Sequence, residues 1–422
     1  MEEQRLKEQK AEERPGKGKL IKILSIDGGG IRGVIPAMIL HRIEERLKKP
    51  IAHVFDYIAG TSTGGVISLL LAKPKTGSTT EPMYSAEDII ELYTDHGRDM
   101  FRRSRGYQMQ TLNGWLRNKY PEQSVLSTLQ GYLDRGERHT MKEALTKVFV
   151  TSYDIERRRH VYLRSYGSVD FYMSDAARAT AAAPTYFPSV EITNTKRDLT
   201  YHLIDGGMVA NNPSLMVLAD AIRINEPGNK YLVVSLGTGS YEEPIRHQKA
   251  RRRGLFGWAP GIIDVMFDGV NGSVEEATSF ILDGVNDFGD DDFKHDRSLF
   301  FRFQVQLGKT EGVMMDEEKR LFMYQMCDEL ERIDDPKVRR ALRLLREDVD
   351  KEVVVGETKK YADDKLDNHD PKNIKTLQKL TDEMLKENHS DFEDLLGRLS
   401  RSDSSIGYER AGNGVKTVGA NA

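Results

Sequence analysis

Cysteine is all but missing from this chain. One residue, Cys327, occurs among 422, so no disulfide can close within it. That fits a reducing compartment. Tryptophan is scarce as well, with two residues. No apolar run approaches about 18 residues, which leaves no candidate for a membrane-crossing helix. An excess of positive charge is also absent: 62 Lys+Arg against 66 Asp+Glu give a net charge of −4, and nothing in that balance points to DNA or RNA. The first residues are rich in Glu, Lys and Arg without an apolar stretch, so they do not form a secretory signal. These absences lead us to expect a cytoplasmic protein that meets a membrane, if at all, from its inner surface.

Glycine, by contrast, is plentiful at 36 residues, and it gathers where predicted strands meet predicted helices. Gly60-Thr61-Ser62-Thr63-Gly64-Gly65 lies between an expected strand, Phe55 to Ala59, and an apolar helix start, Val66 to Ala72. A serine between glycines at a strand-to-helix turn is the pattern of a nucleophile elbow. The turn exposes one side chain in a strained conformation, with Gly60 and Gly64 allowing close backbone approach. The helix start behind it favours a developing oxyanion.

Earlier, the strand Leu20 to Ile26 runs into Asp27-Gly28-Gly29-Gly30-Ile31-Arg32-Gly33, and a helix follows with Ile35, Ile39, Ile43 and Leu47 on one face. Such a loop turns several N–H groups one way. It suits a phosphate, as in dinucleotide-binding folds, or an oxyanion beside a nucleophile. The serine elbow that follows favours the oxyanion.

Further strands are expected at Lys147 to Thr151, His160 to Leu163, Tyr201 to Ile204, Lys230 to Leu236 and Phe300 to Leu307. A small-residue helix spans Ser174 to Ala183. Asp205 stands at a strand end with Gly206 and Gly207 behind it, a position suited to an active-site carboxylate. Asn212 reads as a helix cap before Pro213. His202 is close to Asp205 in sequence but on the strand before the turn, which makes it structural or exposed. Arg251 to Phe267 sets three arginines beside Phe256 and Trp258, a mixture suited either to a membrane interface or to a core.

Together, Asp27 to Gly33, Gly60 to Gly65, Ala182 to Pro188, Asp205-Gly206-Gly207 with Asn211-Asn212-Pro213, and Ser235 to Gly239 resemble the patatin-like phospholipase family over about residues 20–310. The resemblance implies a three-layer α/β/α sheet fold and lipid acyl hydrolysis. It implies Ser62 as nucleophile and Asp205 as base, with Gly28, Gly29, Gly30, Arg32 and Gly33 in the oxyanion loop. No cofactor or metal is called for. The implied partner is a phospholipid membrane surface. Because the family also includes bacterial effectors switched on by cyclic nucleotides in phage defence, a cyclic-nucleotide activator and a homo-oligomer stay open. Competing activities are neutral-lipid hydrolysis or acyl transfer on the same serine. From another class comes a nucleotide-binding module built on the first glycine loop.

The expected organisation is a charged leader over residues 1–19, a catalytic domain over 20–310, a helical C-terminal extension over 311–400 and a disordered tail over 401–422. Charged helices are expected over Asp316 to Ile333, Pro336 to Val349 and Asn373 to Glu387. Because they lie beyond the last motif, they are expected to stand outside the chemistry.

Overall fold

The computed structural model of the chain describes residues 18–100, 118–240, 251, 262–286, 299–310, 358–363 and 365–401. Its main elements are, in order, β1 (Leu20–Ile26), α1 (Val34–Leu47), β2 (Tyr57–Gly60), α2 (Thr63–Ala72), α3 (Ala86–Asp95), α4 (Glu122–Leu133), β3 (Lys147–Asp154), β4 (Arg159–Arg164) and α5 (Met173–Ala181). Then come β5 (Val190–Thr193), β6 (Thr200–Asp205), α6 (Ser214–Ile224), β7 (Lys230–Leu236), α7 (Ile262–Asn286), β8 (Phe300–Phe303), β9 (Gly308–Thr310), β10 (Thr358–Lys360), α8 (Pro371–Glu387) and α9 (His389–Ser400).

The sheet order is β5-β6-β3-β2-β1-β7-β8, with β4 on the other side of β3. Strands β3, β2, β1, β7 and β8 run parallel, while β4 and β6 are antiparallel to β3. Strand alternation builds the layers. Leu24, Ile26, Ile58, Val148 and Val234 face a core shared with α1, α2 and α5, whereas Ile23, Tyr57, Phe149 and Val233 face a second core with Val217 and Leu218 of α6 and Leu282 of α7. This is the α/β/α architecture expected.

One detail of register places the site. β4 pairs with Phe149 to Asp154 along one side of β3. On the other side, β2 pairs with the first half of β3 and ends at Gly60 opposite Val150. Beyond it β6 enters from the opposite direction and ends at Asp205 opposite Ser152. Two strands therefore meet carboxyl end to carboxyl end beside Thr151.

Some boundaries differ from expectation. β2 starts at Tyr57 because Phe55 is held in a turn, its N–H donating to Ile51 at 3.2 Å. The strand expected to reach Leu307 stops at Phe303. α6 starts at Ser214, so Pro213 is the capping residue, and the Asn212 side chain accepts from the Ser214 N–H at 3.0 Å. The leader as far as residue 17, the helices expected over Asp316 to Ile333 and Pro336 to Val349, and the tail beyond residue 401 lie outside the described residues, as do Phe256 and Trp258.

The described part of the C-terminal extension joins the main core. Ile374 and Leu377 of α8 and Leu395, Leu396 and Leu399 of α9 are buried in the same cluster as Ile39 and Ile43 of α1. Arg46 of α1 makes a two-pronged hydrogen bond to Glu393 at 2.6 and 2.8 Å.

Candidate active site

Ser62 caps α2 with φ 54° and ψ −123°, a left-handed conformation that a non-glycine residue adopts only under constraint. The constraint is visible on all sides. A Cβ at Gly60 would lie 2.1 Å from the Gly64 carbonyl oxygen, and one at Gly64 would lie 2.2 Å from that of Ile26. The Ser62 N–H donates to Thr180 Oγ1 of α5 at 2.8 Å. Thr61 is buried and bonds Thr151 Oγ1 at 2.7 Å and the Ala210 carbonyl at 2.6 Å. The elbow is thereby fastened to α5, to β3 and to the turn after β6.

Asp205 ends β6 and is buried. Its N–H donates to the Ala182 carbonyl at 2.9 Å. Its carboxylate accepts from the Gly207 N–H at 2.7 Å and faces the Ser62 hydroxyl. Burial pushes the carboxyl up to about 6, against the opposing pull of the Ser62 hydroxyl and the Gly207 N–H. The Gly206 backbone presses on β3 so closely that a Cβ there would lie 2.1 Å from Thr151 Oγ1.

His202 lies elsewhere on the strand. It sits three positions before Asp205, on the other face of β6, and its ring nitrogens lie 3.0 Å from Glu156 and 3.1 Å from Glu191.

The glycine loop lies beside the elbow: a Cβ at Gly28 would come within 3.3 Å of Ser62 Cβ. Most of its polar groups are already engaged. The Gly28 N–H donates to the Asn211 carbonyl at 3.1 Å, and the Gly28 carbonyl accepts from Thr238 Oγ1 at 2.6 Å. The Ile31 N–H donates to Leu366 at 2.8 Å and the Arg32 N–H to Gly29 at 3.2 Å. The Arg32 guanidinium reaches the carbonyls of Gly29 and Gly239, each at 3.4 Å, and so ties this loop to the one after β7. Gly33 is packed under Thr63 and Tyr93. Of the residues expected in the oxyanion loop, Gly28 and Arg32 thus have their donors engaged within the fold. Among the described residues, Gly29 and Gly30 are the members of the triplet whose N–H groups have no partner. Gly30 adopts φ +57°.

Below the loop, Asp27 is buried and accepts from Arg302 Nη2 at 2.7 Å. Arg302 also donates to Ser235 at 2.9 Å and is ion-paired with Glu275 at 2.9 Å. Sequence reading missed this cluster, along with Thr180 and Leu366. A lone threonine in the alanine run of α5 was a signal for Thr180; nothing marked Leu366.

Among the described residues there is no group of three or more His, Cys, Asp or Glu suited to a metal, and no helix is long and apolar enough to cross a membrane.

Residues 24–218 match the family model described as Patatin-like phospholipase. Patatin-like protein 4 of Arabidopsis thaliana is 29% identical over 77% of this chain and 86% of its own length. Patatin-like protein 3 of the same plant is 30% identical over 64% of this chain and 72% of its own. A potato protein, Probable inactive patatin-3-Kuras 1 of Solanum tuberosum, is 33% identical over 57% of this chain and 69% of its own.

Proposed function

The chain belongs to the patatin-like phospholipase family of lipid acyl hydrolases, and from that premise we propose that Ser62 and Asp205 act as a nucleophile–base dyad cleaving ester bonds of membrane glycerophospholipids. The observation that carries this reading is the meeting of β2 and β6, which brings the Ser62 hydroxyl onto a buried carboxylate with no intervening imidazole.

The chemistry follows from the geometry. Ser62 Oγ attacks the ester carbonyl while its proton passes to Asp205. The carbonyl oxygen, now negative, takes the N–H groups of Gly29 and Gly30, and the positive end of α2 lies behind the serine. The tetrahedral intermediate collapses by breaking the bond to the alcohol oxygen, which leaves as a lysolipid carrying the proton from Asp205. Asp205 then takes a proton from water. The resulting hydroxide attacks the acyl-serine, a fatty acid departs, and Ser62 recovers its proton. A solvated aspartate near 3.9 is too weak a base for this cycle, whereas one raised to about 6 by burial is suited to it.

A phosphate cradle is less well served by the same loop, because the Gly28 N–H is already given to Asn211. The test is incubation with a mixed lipid extract and identification of the products by mass spectrometry. Lysophospholipid and free fatty acid, formed by wild type and not by Ser62→Ala, are expected. Transfer of the acyl group to another lipid, or products from neutral lipids alone, would overturn the phospholipid assignment while keeping the dyad.

A further inference from the structure

The glycine loop is held from outside by a part of the chain that follows the matched region by more than a hundred residues. The Leu366 carbonyl accepts the Ile31 N–H at 2.8 Å, and a Cβ at Gly30 would lie 2.2 Å from that same carbonyl oxygen. The next residue, Asp367, is buried and receives both Lys119 Nζ and the Tyr120 hydroxyl. Although burial pushes its carboxyl up, the hydrogen bonds from Lys119 and Tyr120 hold it below the usual carboxylate range.

Lys119 and Tyr120 are themselves attached to the opposite wall of the site. Their N–H groups donate to the carbonyls of Thr185 and Tyr186 at 2.8 and 2.9 Å, and the Tyr120 ring stacks on Tyr186. That turn follows directly from Ala182, whose carbonyl holds the Asp205 N–H.

The segment around Asp367 is also braced within itself. Asn368 Nδ2 donates to Asp363 at 2.7 Å, Asn373 Nδ2 donates to the Asn368 carbonyl at 3.1 Å, and Asp370 caps α8. The brace continues into α8, which packs in the main core. A chain so fastened at both ends has a fixed position for the Leu366 carbonyl.

We propose that residues 365–370 form a strap across the oxyanion loop and that Asp367 is a positioning residue, tying the loop at Ile31 to the wall that carries Asp205. The strap sets where the Gly29 and Gly30 N–H groups point. Asp367 touches no reacting atom; it acts through Leu366 and Ile31. The inference rests on the dyad reading above and adds to it a control point in the C-terminal extension.

The experiment uses the full chain with a soluble short-chain ester, a fluorophosphonate that labels the nucleophilic serine, and a trifluoromethyl ketone that places an oxyanion in the hole. For Asp367→Asn we expect turnover to fall on the order of ten-fold with KM within about two-fold, as for a misplaced rather than a removed donor. Labelling should slow by the same factor yet reach full stoichiometry, and ketone inhibition should weaken in proportion. Adding Lys119→Met should change little further, because both act at one junction. If Asp367→Asn does not fold, Tyr120→Phe carries the same expectations at smaller amplitude. Full-rate labelling in the folded variant overturns the strap. So does reduced stoichiometry at an unchanged rate, since that reports unfolded protein and not a displaced loop. Wild type that takes no fluorophosphonate overturns the dyad and the strap with it, whereas labelled wild type with equally fast Asp367→Asn overturns the strap alone.

Discussion

Two buried aspartates stand at strand ends on the same edge of the sheet, Asp27 after β1 and Asp205 at the end of β6. Burial pushes each carboxyl up to about 6. Their compensation differs. Asp27 has a fixed cation, with Arg302 at 2.7 Å, and that guanidinium is shared with Glu275 and Ser235. Asp205 has neutral donors, the Ser62 hydroxyl and the Gly207 N–H. A carboxylate answered by arginine gives up its share of a buried ion pair on gaining a proton, which suits it to a structural role. One held by neutral donors can accept and return a proton during turnover. Partner type, more than depth or acidity, separates the proposed base from the brace.

The sharpest way to break this comparison is to remove the groups at the Asp205 end. Ser62→Ala should abolish ester hydrolysis, and Asp205→Asn should lower it by about 10²–10⁴-fold in a folded protein. The two losses should not add, because the residues act as one unit. Steady-state kinetics on a short-chain ester, with circular dichroism to check the fold, decides this. Asp205→Asn that keeps most of its activity removes the base from the scheme.

At the other end, Arg302→Met should act on stability before chemistry. It leaves Asp27 buried without its cation, and the expected loss is about 3 kcal/mol, read by urea unfolding at pH 7. The deficit should narrow as pH falls, since a neutral Asp27 needs no counter-charge. If stability is unchanged and hydrolysis vanishes, the Asp27 end belongs to the chemistry and the contrast fails.

Asp205 should also reveal itself as a cost to the fold. Its folded value near 6 lies above its ordinary 3.8, so the folded state binds the extra proton between those values. Stability on this account is fully present below about 3.8 and is lost as pH rises through about 6. Asp205→Asn should then be more stable than wild type at pH 8, by up to about 3 kcal/mol, with the difference closing toward pH 4. The same proton governs rate: wild-type kcat/KM should climb with pH and level off above about 6. A variant less stable than wild type at pH 8 contradicts the burial argument.

Much of this site was legible before the fold was known. Ser62 shows itself because only a tight strand-to-helix turn calls for glycine at positions 60, 64 and 65 around one serine. The place of His202 on the strand before the turn was enough to set it apart from Asp205. Gly29 and Gly30 were legible as members of the oxyanion loop, but which of its N–H groups are free was not. Whether a glycine N–H is free depends on bonds such as Gly28 to Asn211 and Ile31 to Leu366, which join residues far apart in the chain and leave no local pattern. For the same reason nothing in the sequence shows that the extension beyond Asp316, expected to stand outside the chemistry, packs against the catalytic domain. Composition marks α8 as a charged helix, yet its buried face and the strap before it close on α1 and on the glycine loop.

The smallest expected effect makes the closing test of the comparison. His202 is the residue a conventional serine triad would recruit, because it precedes the base by three positions on one strand. Those three positions put it on the opposite face, where it is partly exposed and flanked by Glu156 and Glu191. Surface pairs of this kind contribute about 0–1 kcal/mol, so His202→Ala should shift stability by no more than that. It should leave kcat/KM within about two-fold, since in the proposed dyad the proton passes from Ser62 to Asp205 without an imidazole. Side-by-side assays of His202→Ala and Asp205→Asn at pH 8 therefore separate two mechanisms by orders of magnitude. Should His202→Ala be inactive in a folded protein while Asp205→Asn turns over, the proton travels through an imidazole after all, and the carboxylate at the end of β6 is a brace like the one after β1.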